Sequence, residues 1–137
     1  MKRVLLLALM IALLLTACKK KEEGTERFRL LTGTVWQSEI LNVEGEDASG
    51  PGEPLEKFVG DAEFYKDGTG YFGEYTGTWY FSNNENNITI TSPDLAVPLT
   101  TTIGELTAQK FSISTSFPIP PDLTTPKLIE ITFRAKP

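Results

Sequence analysis

The chain of 137 residues carries 13 Lys and Arg against 18 Asp and Glu, a formal net charge of −5, with no histidine and one cysteine. That acidic balance argues against nucleic acid or an anionic membrane surface as a partner, because both need a basic footprint. Without histidine the usual acyl-transfer triads are excluded and the commonest metal ligand is missing, so neither catalysis nor a metal or cofactor is expected; a lone cysteine offers no disulfide, and stability must come from a packed core.

Lys2 and Arg3 precede an uninterrupted apolar run, Val4 to Leu15. As a helix rising roughly 1.5 Å per residue it would span about 18 Å, short of a bilayer core of about 30 Å. A basic start, a short apolar run and small residues at the junction read as a secretory signal peptide over 1–17. Leu15, Thr16, Ala17 and Cys18 resemble the bacterial lipobox, which implies cleavage before Cys18 and acylation of its thiol. Acyl chains insert at about 0.8 kcal/mol per buried methylene, so Cys18 is expected to be a membrane anchor and not a nucleophile. The alternative is an ordinary secreted protein whose Cys18 is incidental.

Residues 18–27 then read as the lipidated cysteine and a flexible charged tether, because Lys19 to Glu26 lacks any apolar period. Lys21, Glu22 and Glu23 resemble the short signal that sends lipoproteins of Bacteroidota to the outer face of the cell, though a plain solvated linker explains them equally. The expected location is the bacterial outer membrane, lipid-anchored, in either the periplasmic or the cell-surface leaflet. Cleavage removes Lys2 and Arg3 and leaves 120 residues with 11 basic and 18 acidic side chains, a formal charge of −7. That length holds one domain, placed at 28–137.

From Phe28 onward, short runs of β-branched and aromatic residues alternate with glycine, proline, asparagine and aspartate, the punctuation of strands. Eight strands are predicted: Thr34 to Val43, Phe58 to Tyr65, Thr69 to Tyr75, Thr78 to Phe81, Ile88 to Thr91, Leu99 to Leu106, Lys110 to Ser116 and Leu128 to Ala135. The second and the last show the period-two pattern of half-buried antiparallel strands, with Ala62 and Phe64 opposing Asp61 and Glu63, and Ile129, Ile131 and Phe133 opposing Glu130, Thr132 and Arg134. Only a turn at Arg27 to Leu31 hints at helix. The fold class is all-β.

Connection lengths suggest the topology. Short polar turns follow strands two, four and six, whereas Glu44 to Lys57, Ser92 to Pro98 and Phe117 to Lys127 follow strands one, five and seven; the turn at Thr76 and Gly77 completes that second end. Long loops therefore gather at one end of an eight-stranded antiparallel up-and-down barrel, whose interior can just hold one small ligand. A two-sheet sandwich would need longer crossing connections.

The stretches "LLTGTVW", "KDGTGYF", "GTWYFS", "IGELTAQKFSIS" and "IEITFRAK" resemble the lipocalin-like lipoprotein domains common in Bacteroidota, over most of Leu30 to Lys136. Lipocalins open with glycine, one spacer and tryptophan and close with an arginine covering that ring; here two residues separate Gly33 from Trp36. The resemblance implies that Trp36 and Arg134 meet at the shut end in a cation–π contact worth about 0.5 to 2 kcal/mol. The alternative is a core tryptophan and a solvated terminal arginine.

By the same resemblance, a small hydrophobic ligand would enter the barrel mouth. Alternation points Ile40, Phe58, Tyr75, Trp79, Ile90, Phe117 and Ile129 inward near the long-loop end, where they either line a pocket or fill the core. "GEDASGPGEP" reads as a lid or a long hairpin loop, and "FPIPPDLTTP" as an apolar rim, through Phe117, Ile119 and Leu123, or a loop folded onto the barrel. A structural or accessory lipoprotein, whose filled barrel docks an envelope protein through that rim, is the alternative function. Glu63, Glu74 and Glu105 could approach one another as paired carboxylates for acid–base work, but strand glutamates usually face solvent. "SNNENN" lacks the spaced aspartates of a calcium loop, and "DGTGYFG" lacks the helix of a phosphate cradle.

Overall fold

The computed structural model describes residues 24–137; the signal segment, Cys18 and the Lys21 to Glu23 stretch lie outside the described residues. A short helix, α1 (Glu26–Thr32), comes first. Thr25 caps it, its Oγ1 accepting from the Phe28 amide at 3.2 Å, and Leu31 buries its inner face. The helix thus begins inside the stretch read as tether, two residues ahead of the predicted domain start.

Strands follow as β1 (Trp36–Val43), β2 (Glu46–Asp47), β3 (Asp61–Phe64), β4 (Thr69–Phe72), β5 (Tyr75–Ser82), β6 (Asn87–Thr91), β7 (Leu99–Leu106), β8 (Lys110–Ile119) and β9 (Asp122–Ala135). Each of β3 to β8 pairs antiparallel with the next, and β1 pairs with both β3 and β9, so eight strands close into an up-and-down barrel. Strand β2 is a two-residue flap on the far end of β1. Closure runs from Trp36 opposite Ala135 to Val43 opposite Ile129.

Trp36, Phe64, Phe111 and Phe133 fill the half of the barrel near the short turns. Phe111 lies 5.5 Å from Trp36, 5.8 Å from Phe64 and 5.4 Å from Phe133 between ring centres. Trp79 continues the cluster, 5.6 Å from Phe64 and 5.8 Å from Phe28 of α1. Both indoles satisfy their N–H, Trp36 donating to the Leu31 carbonyl at 3.1 Å and Trp79 to the Tyr65 carbonyl at 2.9 Å. Helix and aromatic rings together shut this end.

Several expectations are corrected. Ile40 points outward and is 46% exposed, because the β1–β9 register shifts between Ser38 and Ile40; the bulge reverses the alternation and Leu41 turns inward instead. Arg134 alternates with the buried Phe133, so it faces solvent and reaches Gln37 at 3.4 Å, while Trp36 points into the barrel. Tryptophan and arginine therefore occupy opposite faces of the wall, and α1 covers the ring. Phe58 lies in a 3-10 turn (Glu56–Phe58), not in a strand, yet it is buried.

The β4–β5 hairpin turns at Gly73, where φ is +62°, and not at Thr76 and Gly77. Gly77 sits within β5, where an added Cβ would run into the Thr91 carbonyl of β6, so that glycine serves close approach and not a turn. The stretch expected as a loop from Phe117 to Lys127 is instead a paired ribbon prolonging β8 and β9, with Phe117 opposite Lys127 and Pro118 opposite Pro126.

Phe111→Ala should cost about 3–5 kcal/mol of stability in urea unfolding, as expected for a buried aromatic ring replaced by a void. Arg134→Ala should stay within about 0.5 kcal/mol of wild type. Equal losses would restore arginine as the closure residue.

Candidate functional site

At the end opposite α1, the β1–β3 connection, the β4–β5 turn, the Ser92 to Pro98 loop and the β8–β9 ribbon surround a cavity of about 350 Å³. Phe58, Tyr75, Phe117 and Ile129 line it together, Phe58 from the 3-10 turn and the other three from strands. Phe58 and Tyr75 pack ring on ring at 4.6 Å. Ile129 is held by its register with Thr115 of β8 and Val43 of β1.

Three other residues predicted for the mouth do not reach it. Ile40 faces solvent. Trp79 belongs to the aromatic cluster at the shut end, and its backbone amide donates to Gly68 in the β3–β4 turn. Ile90 is buried, in register between Trp79 and Leu99, but outside the cavity wall.

The rest of the wall comes from residues outside the seven predicted for the mouth, among them Ile131, placed inward by its strand pattern, and Ile119, read as part of the rim. Leu99 and Ile131 face inward from β7 and β9, and their strand periodicity carried the signal. Leu55 and Leu95 come from loops, where no strand period marks them. Leu55 is only 2% exposed. It is pinned because its amide donates to the Ala48 carbonyl at 2.9 Å and the Ala48 amide donates to Leu41 at 2.8 Å. The Glu44 to Phe58 segment is thus an ordered wall folded over the mouth. On the other side Pro118, Ile119 and Pro120 of the ribbon line the cavity, whereas Leu123 projects away at 63% exposure.

Chemically the wall is uniform: the Tyr75 hydroxyl is the only polar side-chain group among the lining residues, and none of them is charged. Beyond Pro54 and Ile119, a second cleft of about 400 Å³ is bordered by Glu44, Glu46, Asp47, Glu53, Asp122 and Lys127. Asp47 accepts from the Ser49 hydroxyl at 2.6 Å and from its amide at 3.0 Å. Asp122 does the same with Thr124, at 2.6 and 3.0 Å. These bonds, the hydroxyl one foremost, hold both carboxyls below the ordinary aspartate value.

Glu63, Glu74 and Glu105 do not approach one another. Glu74 lies in the β4–β5 turn at the mouth, Glu105 pairs with Lys110 at 3.7 Å near the shut end, and Glu63 stands beside Tyr71, whose hydroxyl is pushed up first by burial and then by that carboxylate. The "SNNENN" turn docks α1: the Glu85 carboxylate accepts from Thr25 Oγ1 at 2.6 Å and its carbonyl from Arg27 at 3.0 Å. Among the described residues no group of three or more metal-ligating side chains is arranged to hold an ion. Compared with known proteins, the chain matches no family model and no curated sequence.

Because the folded pKa values of Asp47 and Asp122 are lowered, the two turns contribute stability above the unfolded carboxyl's value and lose it as pH falls through the folded one. In an NMR titration, the Ser49 and Thr124 amides should shift with midpoints below the ordinary 3.8. Midpoints at or above it would mean that the turns do not form.

Proposed function

We propose that the protein is a lipid-anchored lipoprotein of the bacterial outer membrane whose barrel takes up a small hydrophobic ligand at its mouth. The cavity of about 350 Å³ between Phe58, Tyr75, Phe117 and Ile129 carries this reading. Its volume lies within the range of ligand pockets, roughly 300–1,000 Å³, and apolar walls with few polar groups are their usual lining. The resemblance of the Leu30 to Lys136 stretches to lipocalin-like lipoprotein domains points the same way, and that of Leu15 to Cys18 to a lipobox supplies the anchor. The described chain starts at the shut end, where Thr25 meets Glu85, so a tether from Cys18 would present the mouth away from the membrane.

Exposure of Leu123 at 63% on the ribbon and of Val97 at 50% on the neighbouring loop favours a second reading, in which the rim docks another envelope protein. In that case Leu123→Asp would abolish copurification of a partner.

Cys18→Ser should move the protein from the membrane to the soluble fraction; retention on the membrane would refute the anchor. With that soluble variant, the neutral dye N-phenyl-1-naphthylamine should brighten on binding, and Tyr75→Ala or Phe117→Ala should weaken its affinity about tenfold or more. Trp79→Ala should lower stability by about 3–5 kcal/mol through the aromatic cluster. Dye affinity indifferent to Tyr75 and Phe117 would remove the cavity as the binding site.

A further inference from the structure

The molecule is electrically polarised along the barrel axis. The mouth connections 44–60, 73–74 and 92–98, together with the ribbon 117–127, carry eight carboxylates against Lys57 and Lys127, a formal −6. The opposite end, comprising 24–35, 65–68, 83–86, 107–110 and 134–137, carries six basic side chains against three carboxylates, and Asp61 and Glu105 of the adjoining strand ends pair with Lys136 and Lys110, which leaves a formal +1. Acidic side chains also flank the cavity wall directly: Glu53 lies between the lining Gly52 and Pro54, Glu74 precedes the lining Tyr75, and Asp94 precedes the lining Leu95. All three are exposed at the entrance, while the cavity below them has no charged group.

From this pairing of an uncharged apolar chamber with an acidic rim, we infer that the mouth selects amphiphiles bearing a positive head group, an alkyl or aryl ammonium, over those bearing a carboxylate. The inference rests on the ligand-binding reading of the same cavity and adds the ligand's charge. A tail seated among Leu99, Phe117, Ile129 and Ile131 leaves its head at the entrance. There the carboxylates attract a cation and repel an anion, and a cleft rimmed by one sign of charge concentrates counter-ions at its opening. A fatty-acid carboxylate would meet no cation in the wall; Lys57 adjoins the lining Phe58 but is next to Glu56, and Lys127 stands opposite the lining Phe117 but shares its cleft with Glu44, Asp47 and Asp122. The rings of Phe58, Tyr75 and Phe117 add surface on which an ammonium group is tolerated.

The test uses three ligands sharing one tail, decyltrimethylammonium, decanol and decanoate, titrated calorimetrically into the full lipidated chain in zwitterionic nanodiscs, with empty discs subtracted. At low salt the cation should bind at least tenfold tighter than decanoate, with decanol between them. Raising the salt should shrink the ratio, because exposed charges are screened within about 8 Å at physiological ionic strength. The triple variant Glu53→Gln, Glu74→Gln, Asp94→Asn should reduce the cation-to-anion ratio threefold or more; no side-chain hydrogen bond ties these residues to the fold, and near-ultraviolet circular dichroism verifies that it is intact. Decanoate binding as tightly as the cation, or a ratio unchanged in the triple variant, would overturn the charge selection while leaving the binding cavity standing. Failure of all three ligands, neutral decanol included, would overturn the cavity reading and the selection with it.

Discussion

Pairing of β1 with β9 closes the wall, and the circumference so defined sets how much volume the side chains inside must fill. Eight strands enclose an interior just wide enough for side chains, so whether a ligand fits depends on how residue size is distributed along the axis. Here the rings crowd one half: Trp36, Phe64, Trp79, Phe111 and Phe133 stack and cross near the short turns. Leu99, Ile129 and Ile131 hold the wall toward the other half, where Phe58, Tyr75 and Phe117 stand around the cavity of about 350 Å³. A solid floor and an open mouth arise from one closed sheet.

Two devices keep that mouth from collapsing. The Glu44 to Phe58 segment folds back through backbone bonds at Ala48 and Leu55, burying both side chains and standing one wall upright. The β8–β9 ribbon prolongs two barrel strands past the rim, and Phe117 and Ile119 turn inward from it. Both devices bring carboxylates with them, while α1 and the strand ends at the floor carry most of the basic residues. Shape and charge thus change together along the barrel.

Periodicity made the barrel legible, because Ala62 and Phe64, or Ile129, Ile131 and Phe133, can bury only one face of a strand. It misplaced Ile40 because a bulge leaves no mark in a pattern that assumes an unbroken count of two. It misplaced the turn after β4 because Gly73 and Gly77 look alike in a sequence, yet one supplies a positive φ and the other makes room for the Thr91 carbonyl. At the mouth, strand residues such as Ile129 were readable. Leu55 and Leu95 were not, since a loop has no period and their burial depends on tertiary bonds between distant stretches. The Trp36 and Arg134 pairing failed on parity alone, as Arg134 neighbours the inward Phe133.

A crystal of the protein pressurised with xenon tests the division of the barrel most directly, since xenon enters dry apolar cavities and no closely packed core. Xenon should appear between Leu99, Phe117 and Ile129, and none among Trp36, Phe64 and Phe111. Xenon among those rings, or a mouth that takes up none, would contradict the account of a filled floor beneath an open apolar chamber.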